Sequence, residues 1–368
     1  MIITDIRIQS YRLPLDPPFY AAWDPIPRRH FDATLTIVET DVGIVGIGGG
    51  DTMAGFESYK SFFIGQNPLQ IARHVQVIET LNFHAARYWP LEMALWDIFG
   101  QSLGTPAAQL FGGFTTKILA YASCGELKSP DARAESALAL HEQGFRALKI
   151  RIDLRRMDEG LQAMTAVRRA VGAAMDIMVD FNQAWRMPGD IAPSADPAAA
   201  QHLADVLHEL GVLWLEEPLQ GADVRGLAAL RSRSKIRIAG GEMARSLADL
   251  LAYADADALD VYQPDVVLAV GLLRTRMLAE WVMARNRWFT PHTWSNGLGL
   301  LANLHVTAGV GGGPYLEFPY DPPGWTVERR DFMFTEGIFT DAEGYVHIPD
   351  RPGMGKTIDW DRLKHYAR

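Results

Sequence analysis

Residues 147–152 read ALKIRI. In an extended strand successive side chains alternate between faces, so Lys149 and Arg151 share one face while Ile150 points the other way. A strand covered by helices normally fills both faces with Val, Ile and Leu. Two neighbouring inward cations are costly unless anions meet them, so this strand is expected to end at a charged centre.

The same kind of segment recurs on both sides. From Leu119 onward, eight short apolar stretches follow one another: ILAYASCG, ALKIRI, DIMVDFNQ, VLWLEEP, IRIAGGE, ALDVYQPD, WFTPHTW and PYLEFP. Seven helical segments separate them, among them DARAESALALHEQG, EGLQAMTAVRRAVG and VGLLRTRMLAEWVMAR. This alternation predicts parallel βα units, and the missing helix after the eighth strand predicts an α/β fold built on a modified TIM barrel, (β/α)7β, over residues 116–318. Upstream, residues 1–115 read as an α+β capping domain. An opening strand (IITDIRIQSYRL) and a hairpin in DATLTIVETDVGIVGIGGG precede helical segments between residues 65 and 113. The turn-rich segment 319–368 is expected to return to the cap and complete it.

Composition narrows the function. The chain has 368 residues, 48% of them hydrophobic, enough for a large core. A net charge of -9 argues against nucleic acid as a partner. The single cysteine, Cys124, excludes an intrachain disulfide framework and is expected to be buried and inert. The start MIITDIRIQS alternates like a strand and lacks the apolar core of a signal peptide, and no apolar run is long enough to span a membrane. The expectation is a soluble, cytoplasmic protein. GIGGGDTMAGF is glycine-rich but leads into no convincing helix, which disfavours a nucleotide-binding loop and is read instead as loop flexibility.

Catalytic groups of such barrels sit at the C-terminal ends of the strands. Asp180 and Asn182 end the third strand, Glu216 and Glu217 the fourth, Glu242 the fifth, Asp265 the sixth, His292 the seventh and Glu317 the eighth. From Asp180 on, the separations are 36, 26, 23, 27 and 25 residues, one βα repeat each. Asp180, Glu216 and Glu242 would converge above the barrel, where close carboxylates need a counter-charge. A hard divalent cation with oxygen ligands, Mg2+, one per subunit, meets that need. Asp265 and His292 end neighbouring strands, so the carboxylate can accept from one ring nitrogen and leave the other free for proton transfer.

In this order and spacing, MALWDIFGQSLGTPAAQLFGG, LKIR, VDFNQAW, LEEP, GGE, QPD, PHT and YLE resemble the enolase superfamily, and within it the mandelate racemase subgroup, over nearly the whole length. The resemblance implies a capping domain on a (β/α)7β barrel. It implies Mg2+ ligation by Asp180, Glu216 and Glu242, and a His292–Asp265 dyad as general base. Members abstract the proton α to a carboxylate and stabilise the resulting enediolate with the metal; many form homo-oligomers. Glu317 would hydrogen-bond a substrate carboxylate oxygen, for which it must be protonated. Lys149 matches the lysine that neutralises the substrate carboxylate.

The subgroup usually reads Lys-x-Lys here, and the second lysine is the base opposite the histidine. This chain carries Arg151 instead, and a guanidinium keeps its proton. A two-base racemase is thereby disfavoured, whereas a dehydration can run on the His292 face alone. The expected reaction is loss of water from an acid sugar to give a 2-keto-3-deoxy acid. The alternatives are a racemase, epimerase or cycloisomerase, with Lys149 as a second base or a ring oxygen as leaving group, and, from another class, a non-catalytic metal-binding homologue. Two loops, residues 16–30 and 48–58, are expected to set specificity. Either Arg28, Arg29 or His30 would contact hydroxyls or a second carboxylate, pointing to an aldarate, or Tyr20 and Trp23 would instead form an apolar lid over a less hydroxylated substrate; Asn182 would contact substrate. The partner is a small carboxylate, without nucleic acid or membrane.

Overall fold

The computed structural model describes all 368 residues. The opening alternation becomes β1 (Ile3–Phe19), which pairs antiparallel with β2 (Arg28–Thr40), and β2 pairs with β3 (Val45–Gly49). Helices α1 (Ile71–His84), α2 (Trp89–Leu103) and α3 (Ala107–Leu110) follow. The glycine run is not a flexible loop, as its sequence suggests, because Gly46 and Gly48 lie within β3. A Cβ on Gly46 would stand 2.2 Å from the Ala94 carbonyl oxygen, and one on Gly48 1.8 Å from that of Pro90. The glycines let α2 lie directly on the sheet.

The barrel alternates β4 (Lys117–Ser123), α4 (Pro130–Glu142), β5 (Ala147–Arg151), α5 (Met157–Val171), β6 (Asp176–Asp180), α6 (Pro197–Glu209), β7 (Trp214–Glu216), α7 (Val224–Arg233), β8 (Arg237–Gly240), α8 (Leu247–Asp255), β9 (Val261–Tyr262), α9 (Gly271–Met283), β10 (Trp288–Phe289), α10 (Gly297–Val310) and β11 (Leu316–Pro319). The eight strands run parallel in the order β10-β9-β8-β7-β6-β5-β4-β11, giving the expected (β/α)7β architecture. Between β10 and β11 the wall carries an isolated bridge, Phe289 to Gly313, and two hydrogen bonds from Thr293 to Glu317. Helix starts follow local chemistry: Ser129, Asp196, Asp223 and Ser246 each accept a first-turn N–H.

The barrel interior changes character along its axis. Tyr121, Ala147, Met178, Trp214, Ala239, Val261 and Tyr315 form one buried apolar layer. Two residues further along β5, β6 and β7, on the same inward face, stand Lys149, Asp180 and Glu216. β9 and β10 span two residues each, far shorter than ALDVYQPD and WFTPHTW suggest. Pro264 and Pro291 lack an N–H, so Asp265 and His292 follow on loops beyond the ladder.

After β11 come α11 (Val327–Arg330), β12 (Tyr345–His347) and α12 (Trp360–Leu363). β12 pairs antiparallel with the first half of β4, Met354 N–H donates to Asp97 on α2, and Arg368 N–H donates to the Ser10 carbonyl on β1. No helix is long and apolar enough to cross a membrane.

Candidate active site

Asp180 and Glu216 come from the last residues of β6 and β7, and Glu242 from the turn after β8. All three are buried, and one carboxylate oxygen from each falls within 4.8 Å of the others. Burial pushes Asp180 and Glu242 up, and the neighbouring carboxylates add to it, against Arg151 and Lys149 at Asp180 and His292 and Lys149 at Glu242. Glu242 Oε1 accepts from Trp185 Nε1 at 2.8 Å, while its buried Oε2 has no hydrogen-bond partner. Three converging carboxylates with an unpartnered oxygen fit a hard cation with oxygen ligands.

Two basic groups face this cluster from β5. Lys149 Nζ lies 2.5 Å from Glu216 Oε1, 2.7 Å from Glu317 Oε1 and 3.7 Å from Asp180 Oδ2. Arg151 pairs with Asp180 Oδ2 and donates through Nε to the Cys124 carbonyl at 3.2 Å and through Nη1 to Asn182 Oδ1 at 3.2 Å. Burial pulls both cations down, but the carboxylates outweigh it and hold them firmly protonated. The anions that ALKIRI calls for are therefore the protein's own.

On the other side, His292 Nδ1 lies 2.9 Å from Asp265 Oδ2. A carboxylate only accepts, so Nδ1 carries the proton. Nε2 sits 3.7 Å from Glu242 Oε2, beyond hydrogen-bond reach. Asp265 Oδ1 accepts from the Val267 and Leu268 N–H groups and from Asn303. Burial lowers the imidazole pKa, yet Glu242, Glu317 and Asp265 together raise it to about 9. A cation bound to Glu242 would counter the largest of those carboxylate effects and bring the ring back toward neutrality.

Glu317 departs from expectation. Its Oε1 meets Ser123 Oγ at 2.6 Å and Lys149, and its Oε2 accepts from the Thr293 N–H at 2.8 Å. Burial raises it, but Lys149, His292 and Arg151 outweigh that and hold it ionised, near about 2. Its surroundings are cationic where β5 comes close, so the protonated carboxyl inferred from sequence is not what the fold builds.

The cap contributes less loop than residues 16–30 suggest. β1 extends through Phe19 and β2 starts at Arg28, leaving 20–27 as the connection. Trp23 stacks over the Arg151 guanidinium at 4.6 Å and meets Trp294 edge-on at 4.8 Å. Arg28 is engaged by Asp24 at 2.9 Å and lies over Trp23, and Tyr20 is 58% exposed and outside the stack. Asn182 sits at φ 49° beside Arg151. Sequence reading missed Trp185, Ser123 and Trp294, whose Nε1 donates to Ser123 Oγ at 2.7 Å. Two of them stand in quoted motifs, VDFNQAW and WFTPHTW, as aromatic residues whose N–H needs a partner.

A family model described as enolase C-terminal domain-like matches residues 132–362. Among similar proteins, a D-galactarolactone cycloisomerase of Agrobacterium fabrum is 28% identical over 388 aligned residues, covering 100% of this chain and 99% of that protein. A D-xylonate dehydratase of Haloferax volcanii is 27% identical, covering 90% of this chain and 84% of its own. The crystal structure of a racemase from Streptomyces coelicolor A3(2) with bound magnesium superposes with a TM-score of 0.84 at 26% identity, covering 100% of both chains.

Proposed function

We propose, from the premise that this chain belongs to the enolase C-terminal domain-like family of the enolase superfamily and is an enzyme, that it is a Mg2+-dependent lyase acting on hydroxy carboxylates. Asp180, Glu216 and Glu242 hold the cation, one per subunit. When bound, Mg2+ supplies positive charge that offsets the negative charge developing on the substrate carboxylate. His292 Nε2 takes the α-proton, and Asp265 steadies the imidazolium through Nδ1–H. The carbon–oxygen bond at the β-carbon then breaks, and His292 returns its proton to the departing hydroxyl as water. The enol that remains tautomerises to a 2-keto-3-deoxy acid. Lys149 meets the substrate carboxylate, with ionised Glu317 as its counter-ion. Residues 1–115, with the returning 319–368, form the cap over the 116–318 barrel, and the 20–27 connection with Trp23 sets which acid enters.

One observation carries this reading: His292 Nε2 has no hydrogen-bond partner and lies 3.7 Å from Glu242 Oε2, whereas the carboxylates around Lys149 and Arg151 hold both of them protonated. A second reading shares it. Full-length similarity to a cycloisomerase favours a ring oxygen as the leaving group, expelled by the same one-sided elimination.

Proton NMR in D2O with Mg2+ on pooled aldonic acids, aldaric acids and their lactones separates these outcomes. Signals of 2-keto-3-deoxy products support dehydration, and lactone-specific ring opening supports the second reading. α-Deuteration or a new epimer without elimination would overturn both.

A further inference from the structure

Beyond the charged centre, the fold buries a carboxylate where α2 meets the start of α9. Glu92, in the first turn of α2, is fully buried with no cation in hydrogen-bond contact. Its Oε2 accepts from the Leu272 N–H at 3.0 Å, and its Oε1 from the Leu273 N–H at 2.7 Å and from Trp96 Nε1 at 3.1 Å. Leu272 and Leu273 lie in the first turn of α9, whose own N-cap, Val270, offers no side-chain cap. A carboxylate 180 residues away in sequence thus satisfies donors that the barrel helix leaves open. Gly271, at φ +81°, is required for this approach, since a Cβ there would stand 2.1 Å from Glu92 Oε2.

Two nearby side chains act on the same segment. The Arg87 guanidinium donates to the Leu268 carbonyl, and Trp89 Nε1 donates to that of Ala269 at 2.9 Å. The stretch from Arg87 to Glu92 therefore grips residues 268–273, just past Asp265. Asp265 Oδ1 depends on that segment, accepting from Val267 N–H at 3.0 Å and Leu268 N–H at 3.2 Å, while Oδ2 holds His292.

We propose that Glu92 is a positioning residue for the His292–Asp265 pair: by capping α9 it fixes residues 266–273, and through their N–H groups the carboxylate that orients the His292 ring. This rests on the reading of His292 as the base. Asp97, further along α2, provides the matched control. It is also a buried carboxylate, but it accepts from Ile47 and Met354 N–H groups and Gln101, with no bond to residues 266–273.

The test uses the full chain with 15N-labelled histidine and Mg2+ added, following the downfield Nδ1–H resonance of His292, with amide hydrogen exchange over 266–273 in parallel. In Glu92→Gln the resonance broadens or vanishes and exchange across 266–273 speeds up by about tenfold or more, the scale of losing hydrogen bonds to a charged group. In Asp97→Asn both stay at wild-type values. Should Glu92→Gln not fold, Arg87→Met removes the Leu268 grip, together with the Arg87–Asp51 ion pair on the cap side, and is expected to give a smaller change of the same kind over 266–273. Wild-type behaviour in the folded variants, or an equal change in Asp97→Asn, overturns the proposal. Absence of α-proton exchange on every acid, with these spectral effects intact, would instead overturn the functional reading and leave the clamp standing.

Discussion

The two sides of the barrel mouth hold their basic groups in opposite conditions. On the β5 side, Lys149 and Arg151 are buried among Asp180, Glu216 and Glu317, with Lys149 Nζ on Glu216 and Glu317 and Arg151 on Asp180 and the Cys124 carbonyl. On the loop after β10, His292 leans on Asp265 through one nitrogen and leaves the other beyond hydrogen-bond reach of Glu242. Both sides are electrostatically satisfied, but only one can take up a proton. The difference lies in the intrinsic basicity of the groups: carboxylates raise all three, but Lys149 and Arg151 are thereby locked in the protonated form while His292, raised to about 9, still titrates.

The strongest way to break this comparison is to remove the free nitrogen. His292→Asn is expected to lower α-proton exchange by about a hundredfold to ten-thousandfold, the usual contribution of a positioned acid–base group. Deuterium incorporation measured on the acid found in the NMR screen checks it, and residual exchange close to wild type would place the base elsewhere. Next in size, Lys149→Met leaves three buried carboxylates without their shared cation. It is expected to cost about 3–5 kcal/mol of stability in metal-free protein, with much of the loss recovered when Mg2+ takes over the neutralisation. Urea unfolding with and without Mg2+ reads this directly, and a variant insensitive to Mg2+ would contradict the placement of the cation.

A pH measurement sharpens the contrast. Without metal, the surrounding carboxylates raise His292 to about 9. The neutral imidazole is the accepting form, so proton abstraction climbs as pH rises through this value and levels off above it. Mg2+ on Glu242 opposes the carboxylates, so it should lower the His292 pKa and move the climb to lower pH. A histidine NMR titration with and without Mg2+ checks the direction, and an unchanged or higher value would sink it. The smallest effect is expected from Arg151→Lys. A lysine there keeps the pair with Asp180 but, unlike a guanidinium, can lose its proton, so slow formation of a new epimer that grows with pH is expected. Polarimetry or chiral chromatography of recovered substrate decides.

Much of the architecture is legible in the chain because its signals are local. Period-two alternation places Ala147, Lys149 and Arg151 on one face, and the βα repeat puts Asp180, Glu216, Glu242, Asp265, His292 and Glu317 at one end of the barrel. What misled were features whose meaning depends on a neighbour distant in sequence. The GIGGG run reads as a loose loop, yet Gly46 and Gly48 exist for the contact with α2. Glu317 reads as one acid among acids, yet Lys149 sits 2.7 Å away.

The sequence by itself therefore determined the strand order, the helix positions and which ionisable side chains gather at one rim, since side-chain alternation and capping are properties of adjacent residues. Only the tertiary structure decided which anion each cation meets, that Glu317 is ionised, that Trp23 covers Arg151, and that Glu92 grips the start of α9. Those outcomes depend on distances of a few ångströms between residues far apart in the chain, and on burial, which raises the cost of every unpaired charge.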